Sequence, residues 1–223
     1  MPVHVLHIGK TGGTAVKHVL RPFADQGLFV LHGHAHRLRD CPADALVFFV
    51  VRHPVDRFVS AFNSRLRQGR PRHDVPWSRK ERLAFRIFPS PNHLAEAIGS
   101  RNPLTRAAAR WAMRGIGHVG TPLSYWLESA DYLTNRGQVI IGTMHDLDRD
   151  LNRVLAIAGA PSRAILPSDP LTAHVTPPGM STALSEQGRA HLTCWLKEDI
   201  ALYEHCLTLA AANPVAKEVG FHE

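Results

Sequence analysis

Residues 3–20 have the sequence VHVLHIGKTGGTAVKHVL, and this stretch decides the fold that we expect. Four aliphatic residues within residues 3–8 form a short apolar run that is typical of a buried strand. From Thr14 onward, apolar residues recur at helical spacing. The turn at residues 9–13 leaves backbone N–H groups at the positive end of that helix and adds a lysine beside them. The stretch therefore predicts a strand, an anion-binding loop and a helix, with phosphate as the expected ligand.

The loop is not the usual phosphate loop of nucleoside triphosphatases. In that motif, G-x-x-x-x-G-K-[ST], the lysine follows the glycines, whereas here Lys10 precedes the Gly12-Gly13 pair. Glycines still let the backbone approach an anion closely. We therefore predict a P-loop-like site of a different construction. The alternative is a strand-turn-helix whose glycines serve the turn alone.

The strongest strand pattern in the chain is the continuous apolar run at residues 46–51, as expected of a parallel strand covered on both faces. An amphipathic helix follows, because apolar residues recur at three- and four-residue spacing up to residue 66. Arg52 at the strand end and Ser60 in the second helical turn are then expected at the carboxyl edge of the sheet, where ligands bind. The alternatives are an ion pair between Arg52 and Asp56 and a solvated Ser60.

The fold class that we expect is α/β: one domain over residues 1–223, with a mainly parallel sheet of about four or five strands and helices on both faces. Residues 28–31 and 138–142 supply further strands. Helices are predicted over 94–99, 104–114, 123–132 and 147–158. Ser185 is predicted to cap a last helix that reaches Leu207, with Asp199 on its buried side, where it is expected to have a partner. Residues 63–137 are expected to be a helical insertion on the side of the site where a second substrate, the acceptor, would bind.

Within that insertion, residues 63–92 are rich in arginine and interrupted by prolines, so an irregular, solvated basic loop is predicted. A mobile lid that contacts an anionic acceptor is the alternative. Trp111, Tyr125 and Trp126 are expected in the core. The long stretch at residues 161–182 contains His174 and Thr176. A loop of this length is usually functional or disordered.

Three histidines alternate after the second predicted strand, at His32, His34 and His36. The ordinary pKa of imidazole, about 6.5, suits a proton acceptor at neutral pH, so one of them is a candidate catalytic base. A metal site is the weaker interpretation, because no nearby carboxylate or cysteine completes a set of ligands. A polar strand end without chemistry is the third interpretation. We expect no metal.

The composition indicates a globular protein that prefers anionic partners. Hydrophobic residues make up 44% and charged residues 20%, while the formal net charge is +7 and the pI about 9.8. Nucleic acid is the weaker choice of anion, because few aromatic residues stand among the basic ones. We expect no signal peptide and no membrane span, and the three cysteines are expected as reduced thiols in the cytoplasm.

Two motifs resemble the phosphate-binding motifs of sulfotransferases that use 3′-phosphoadenosine 5′-phosphosulfate (PAPS). One is Lys10-Thr11-Gly12-Gly13-Thr14, and the other is RHPVDRFVSAF at residues 52–62. They are similar to the carbohydrate branch of the family, which includes heparan sulfate 2-O-sulfotransferase. His32-Gly33-His34 stands where that branch carries its catalytic histidine. The resemblance is strong over residues 3–20 and 46–62 and weaker over 138–161 and 184–203.

The resemblance implies a reaction and a role for each matching residue. A sulfuryl group would move from PAPS to a hydroxyl of a carbohydrate or a small molecule, without a metal. Lys10 would neutralise the leaving phosphate. The 5′-phosphosulfate would be held by the backbone of Thr11, Gly12, Gly13, Thr14 and Ala15. Ala15 departs from the serine that the family often has.

The resemblance further assigns Arg52 and Ser60 to the 3′-phosphate of the nucleotide. It also makes His174 and Thr176 minor candidates, because in the family a loop before the last helix closes over the nucleotide. His34, or else His32, would accept the proton of the acceptor hydroxyl. Two other functions stay open at this point: a kinase-like phosphotransferase, which would need Mg²⁺ and a nucleoside triphosphate, and a non-catalytic module that binds nucleotides or other anions.

Overall fold

The computed structural model describes residues 1–71, 73–161, 164 and 179–212. In this part of the chain four strands form one sheet: β1 (Val3–Val5), β2 (Phe29–Leu31), β3 (Val47–Val51) and β4 (Val139–Thr143). The strands pair in the order β2-β1-β3-β4, and each pair is parallel. The predicted α/β class with a parallel sheet is confirmed.

Helices follow or precede the strands, and their bounds are close to most of the predicted ones. They are α1 (Gly13–Ala24), α2 (Pro54–Leu66), α3 (Arg79–Ile87), α4 (Pro91–Ile98), α5 (Pro103–Gly115), α6 (Ser124–Leu127), α7 (Ala130–Arg136), α8 (Leu147–Ile157), α9 (Glu186–Trp195) and α10 (Lys197–Ala212). Among the described residues, no helix is long and apolar enough to cross a bilayer.

The chain divides into two compact units. The first consists of the described residues of Met1–Arg52, Leu123–His174 and Ala201–Glu223 and contains the sheet. The second consists of the described residues of His53–Pro122 and Val175–Ile200 and is helical. These boundaries differ from those of the segment 63–137 that the sequence marks as an insertion.

Both faces of the sheet are covered in the first unit, as predicted. β3 is buried throughout, and its side chains alternate between two apolar clusters. Phe48 and Val50 join the cluster that includes residues of α1 and α8. Val47, Phe49 and Val51 join the cluster that includes residues of α6 and α7. The sheet is thus held by two helical layers.

In the second unit, the prediction of an irregular basic loop over residues 63–92 is wrong for residues 79–87, which form α3, whereas residues 67–71 and 73–78 are turns or irregular. α3 begins inside this segment with a capping box, in which Ser78 and Glu81 each bond the other's backbone N–H. The Arg65 guanidinium donates hydrogen bonds of 2.6 and 2.9 Å to the Glu81 carboxylate, and both side chains are buried. The Ser-x-x-Glu pattern is present in the sequence and predicts a helix start, but the surrounding basic residues favoured the interpretation as a loop.

Of the other predictions, some are confirmed and some are wrong. The helix predicted over 123–132 is interrupted at Glu128, whose φ of +65° no helix accepts. The predicted last helix is two, α9 and α10, with Leu196 between them. Trp126 is in the core at 2% exposure, whereas Trp111 is 36% exposed and its core placement is wrong. Asp199, expected to need a partner, lies 3.2 Å from Arg57 within the second unit.

Candidate functional site

The strand order creates a place for a ligand at the carboxyl ends of β1 and β3. The chain passes from β1 to β2 on one side, while β3 lies on the other side of β1. In open α/β sheets, ligands bind outside the carboxyl ends of the strands at the point where the connections diverge. The loop at residues 9–13 follows β1, and Arg52 follows β3. The two predicted anion-binding elements of the first unit therefore lie at the same edge.

The loop has the backbone of an anion-binding turn. Lys10 has a φ of +69° and Gly12 a φ of +77°, so left-handed residues alternate with Thr11. The Thr11 side chain is buried, and its hydroxyl donates to the Ile8 carbonyl at 3.0 Å. Turns that mix left- and right-handed residues aim successive N–H groups into one concavity, where anions bind. A left-handed lysine is uncommon, and it adds positive charge at this concavity.

The helix that follows begins without a competing cap. Gly12 is the N-cap residue of α1 and supplies no side-chain hydrogen bond, and the first turn holds no acidic residue. The first N–H groups of a helix lack partners within it and carry the positive end of its dipole. This end of α1 is therefore able to accept an anion such as phosphate.

Gly12 and Gly13 are each required for a different reason. Gly12 has the left-handed backbone, and a Cβ there would also lie 2.5 Å from the Met144 sulfur. Gly13 is required by contact, because a Cβ at that position would lie 2.2 Å from the His7 ring. His7 is buried at 8% exposure. The histidine thus lies directly against the start of α1.

A small cleft opens beside the loop, and its polar lining consists of His7, Thr11, Gly13 and Lys17. Lys17 lies one helical turn after Gly13 and is half-buried. Burial, and then the charge of Arg21, lowers the pKa of the Lys17 ammonium. Sequence reasoning missed both His7 and Lys17. The four-residue spacing from Gly13 to Lys17 could have indicated Lys17, because residues four apart lie on the same side of a helix.

The alternating histidines do not act as one group. Residues 34 and 35 form a turn, so His32 and His34 do not share a face of an extended strand. The His34 ring lies with its centroid 3.7 Å from that of His7, and its carbonyl accepts a 2.8 Å hydrogen bond from the Trp126 indole. His34 is exposed and lies on the same side as His7.

His32 has different neighbours. Its Nε2 lies 3.0 Å from Nδ1 of His4, and its ring stacks on that of His36 at 3.7 Å. Burial, followed by the charges of His36, His4 and Lys17, lowers the pKa of His32 to about 4. At neutral pH this imidazole is therefore uncharged and a weak proton acceptor.

The other predicted residues have these positions. Thr14 is half-buried and Ala15 is buried in the first turn of α1. Arg52 is half-buried at the end of β3. Ser60 is half-buried on α2, in the second unit. His174 and Thr176 lie outside the described residues.

Comparison of the chain with protein-family models, with curated proteins and with solved structures finds no match. What the site can do therefore follows from its own groups. The loop and the start of α1 offer backbone donors for one phosphate, and Lys10 and Lys17 offer charge. His34 offers a nitrogen that can take a proton beside them.

Proposed function

We propose that this protein transfers a sulfuryl group from PAPS to a hydroxyl of a carbohydrate or small-molecule acceptor. One observation carries the proposal: an uncapped, left-handed loop with a lysine lies at the divergence point of a parallel sheet, and an exposed histidine lies beside it. The resemblance of residues 10–14 and 52–62 to the two phosphate-binding motifs of PAPS-dependent enzymes supports the same activity.

The reaction requires few kinds of residue. The acceptor oxygen forms a bond to sulfur while the bond from sulfur to the 5′-phosphate oxygen breaks, and adenosine 3′,5′-bisphosphate leaves. As in phosphoryl transfer, catalysis of such a step consists of in-line positioning and of neutralising charge on the leaving oxygen. In the proposal, Lys10 and the N–H groups of the loop neutralise that oxygen.

We assign the base to His34 rather than to His32. His34 is exposed on the loop side of the first unit, whereas His32 is bonded to His4 and has a pKa of about 4. A base that works near neutral pH requires a pKa close to that pH. In the proposed step, His34 takes the proton of the acceptor hydroxyl as the new bond to sulfur forms.

Arg52 is proposed to bind the 3′-phosphate, because it follows β3 at the edge where the loop follows β1. A guanidinium suits a phosphate dianion, since it donates two parallel hydrogen bonds. The assignment of Ser60 to the same phosphate stays a prediction. An anionic carbohydrate acceptor agrees with the net charge of +7.

The test is transfer of label from sulfur-labelled PAPS to a panel of neutral, carboxylated and sulfated oligosaccharides and of small alcohols and phenols. We expect label on at least one acceptor, in equimolar amount with adenosine 3′,5′-bisphosphate and without added magnesium. Lys10→Ala is the matched variant and should lose the transfer. Release of the bisphosphate by wild type and Lys10→Ala at equal rates would contradict the proposal.

A further inference from the structure

A cluster of two imidazoles and one thiol lies in the first unit, apart from the phosphate loop. His4 belongs to β1, His32 follows β2, and Cys41 follows a short 3₁₀ turn at Leu38–Asp40. Side chains alternate along a strand, so His4 points to the face opposite Val3 and Val5, which pack with α1. His7, three residues later, points to the α1 side. The cluster is thus on the face of β1 opposite to His7.

The ligand atoms of the three residues are already close. One nitrogen of each histidine and the Cys41 sulfur all lie within 4.8 Å of one another, and His4 Nδ1 lies 3.0 Å from His32 Nε2. In a tetrahedral zinc site with bonds of about 2.0 Å to nitrogen and 2.3 Å to sulfur, ligand atoms are separated by roughly 3.3–3.6 Å. The observed limit of 4.8 Å exceeds these separations by only about 1.2–1.5 Å.

The protonation states of the two imidazoles suit a metal. Burial, and then the charges of His36 and Arg136, lowers the pKa of His4, and burial also lowers that of His32. Burial thus favours the neutral form of both rings, which is the form that binds metals. Burial raises the pKa of the Cys41 thiol, so a bound cation would have to displace its proton.

The surrounding charges are mixed. Arg136 donates to the carbonyls of Pro42, Ala43 and Ala45, and its guanidinium favours the Cys41 thiolate while it opposes a cation. The Asp40 carboxylate has the opposite effects: it disfavours the Cys41 thiolate and it favours a cation. Lys17 also raises the positive potential at His32.

A further imidazole lies next to the cluster. His36 stacks on His32, and its Nε2 is buried without a hydrogen-bond partner among the described residues. A buried polar atom of this kind costs free energy unless a ligand or water satisfies it. His36 thus adds, beside the three clustered atoms, a buried nitrogen that a ligand or a water could satisfy.

We propose that His4, His32 and Cys41 bind one zinc ion through two imidazole nitrogens and a thiolate, with His36 or water as the fourth ligand. Nitrogen and sulfur donors in a tetrahedral set favour zinc over magnesium or calcium. The ion links β1, the segment after β2 and the turn before β3. It therefore holds residues 32–36, which include the candidate base His34. Zinc binding at this site does not require that the chain catalyse sulfuryl transfer.

The test uses the full chain without an affinity tag, stripped of metal and titrated with zinc against a chromophoric chelator, then with cobalt(II). We expect one equivalent to bind tightly and the cobalt form to show a thiolate-to-cobalt charge-transfer band. Cys41→Ser should abolish the band. His4→Gln should weaken zinc binding by more than the roughly 10–100-fold that loss of an outer-shell partner costs.

The matched controls are Cys194→Ser and His18→Ala, which change an exposed cysteine and an exposed histidine and should leave the titration unchanged. Zinc should also raise the melting temperature of wild type, since a ligand of the folded state stabilises it, so the test does not depend on variants that fold. Weak binding at several sites, a cobalt band that persists in Cys41→Ser, or an unchanged melting temperature would overturn the proposal.

Discussion

The ring centroids of His7 and His34 lie 3.7 Å apart. His7 also lies against Gly13, where a Cβ would approach its ring to 2.2 Å. One buried side chain therefore links the candidate base to the first turn of α1. Through His7, the start of α1 and the histidine segment after β2 are in contact within the first unit, and changes in one are expected to affect the other.

Gly13→Ala should destabilise the chain by about 1–3 kcal/mol, because the added methyl group overlaps the His7 ring. In a His7→Ala background the same change should cost far less, since the overlap is gone. Urea unfolding of wild type, the two single variants and the double variant measures this coupling. Gly33→Ala is the control, because a Cβ there meets nothing within 4 Å. Equal costs of Gly13→Ala in both backgrounds would show that His7 is not the obstacle.

His34→Ala should lower kcat for sulfuryl transfer by roughly 10²–10⁴-fold, the contribution typical of a general base, and change PAPS affinity little. His18→Ala, which alters an exposed histidine of α1, is the control and should keep full activity. Steady-state kinetics with the acceptor that the labelling panel identifies gives both constants. A His34→Ala enzyme with an unchanged kcat would remove this residue from the mechanism.

Arg52→Ala should weaken binding of adenosine 3′,5′-bisphosphate by roughly 1.5–3 kcal/mol, the range for charge-assisted hydrogen bonds, and leave 5′-AMP affinity nearly unchanged. The difference between the two nucleotides isolates the 3′-phosphate. Equal losses for both nucleotides in Arg52→Ala would contradict its assignment to the 3′-phosphate.

Lys10→Ala should instead reduce kcat far more than nucleotide affinity, because the charge of Lys10 is needed when the leaving group forms.

The Arg65–Glu81 pair predicts an acid-sensitive stability. Burial opposes ionisation of Glu81, but hydrogen bonds from Arg65 and from the N–H groups of Ser78 and Gly117 outweigh it and lower its pKa to about 2. A carboxyl with a lowered pKa stabilises the fold above its ordinary pKa of 4.5 and loses that effect as the pH falls toward 2. The stabilisation at neutral pH amounts to about 3 kcal/mol.

Glu81→Gln should therefore lower the free energy of unfolding by about 3 kcal/mol at pH 7, and the difference from wild type should shrink between about pH 4.5 and 2. Asp74→Asn is the control, since Asp74 pairs with Arg70 on the surface and should contribute under about 1 kcal/mol. Denaturant unfolding across this pH range measures both. A difference that does not depend on pH would mean that Glu81 acts through packing alone.

The sequence predicted those features that depend on local pattern. The strand, loop and α1 followed from apolar spacing around two glycines, and β3 followed from an unbroken apolar run. The capping box of Ser78 and Glu81 was equally local, yet the arginines around it suggested a loop. Glu128 gave no signal, since a non-glycine residue with positive φ is imposed by tertiary packing.

The candidate site was predicted in part, because its loop is contiguous in sequence while its neighbours are not. The contact of His7 with Gly13 depends on how β1 meets α1, and no spacing rule specifies it. Similarly, no recognised metal-ligand spacing joins His4, His32 and Cys41 in the sequence, whereas the fold brings the three together. Proximity between distant segments is a property of the tertiary structure. It gives His32 and His34 different neighbours, since His32 lies beside His4 and Cys41 whereas His34 lies beside His7.

The most direct measurement of the central claim is calorimetric binding of adenosine 3′,5′-bisphosphate to the wild-type chain, beside 5′-AMP and ATP with and without Mg²⁺. The account predicts tight, metal-independent binding of the bisphosphate and much weaker binding of 5′-AMP, because the 3′-phosphate has its own partner in Arg52. A preference for ATP that depends on magnesium would contradict the account and indicate a phosphotransferase, in which Arg52 has another role.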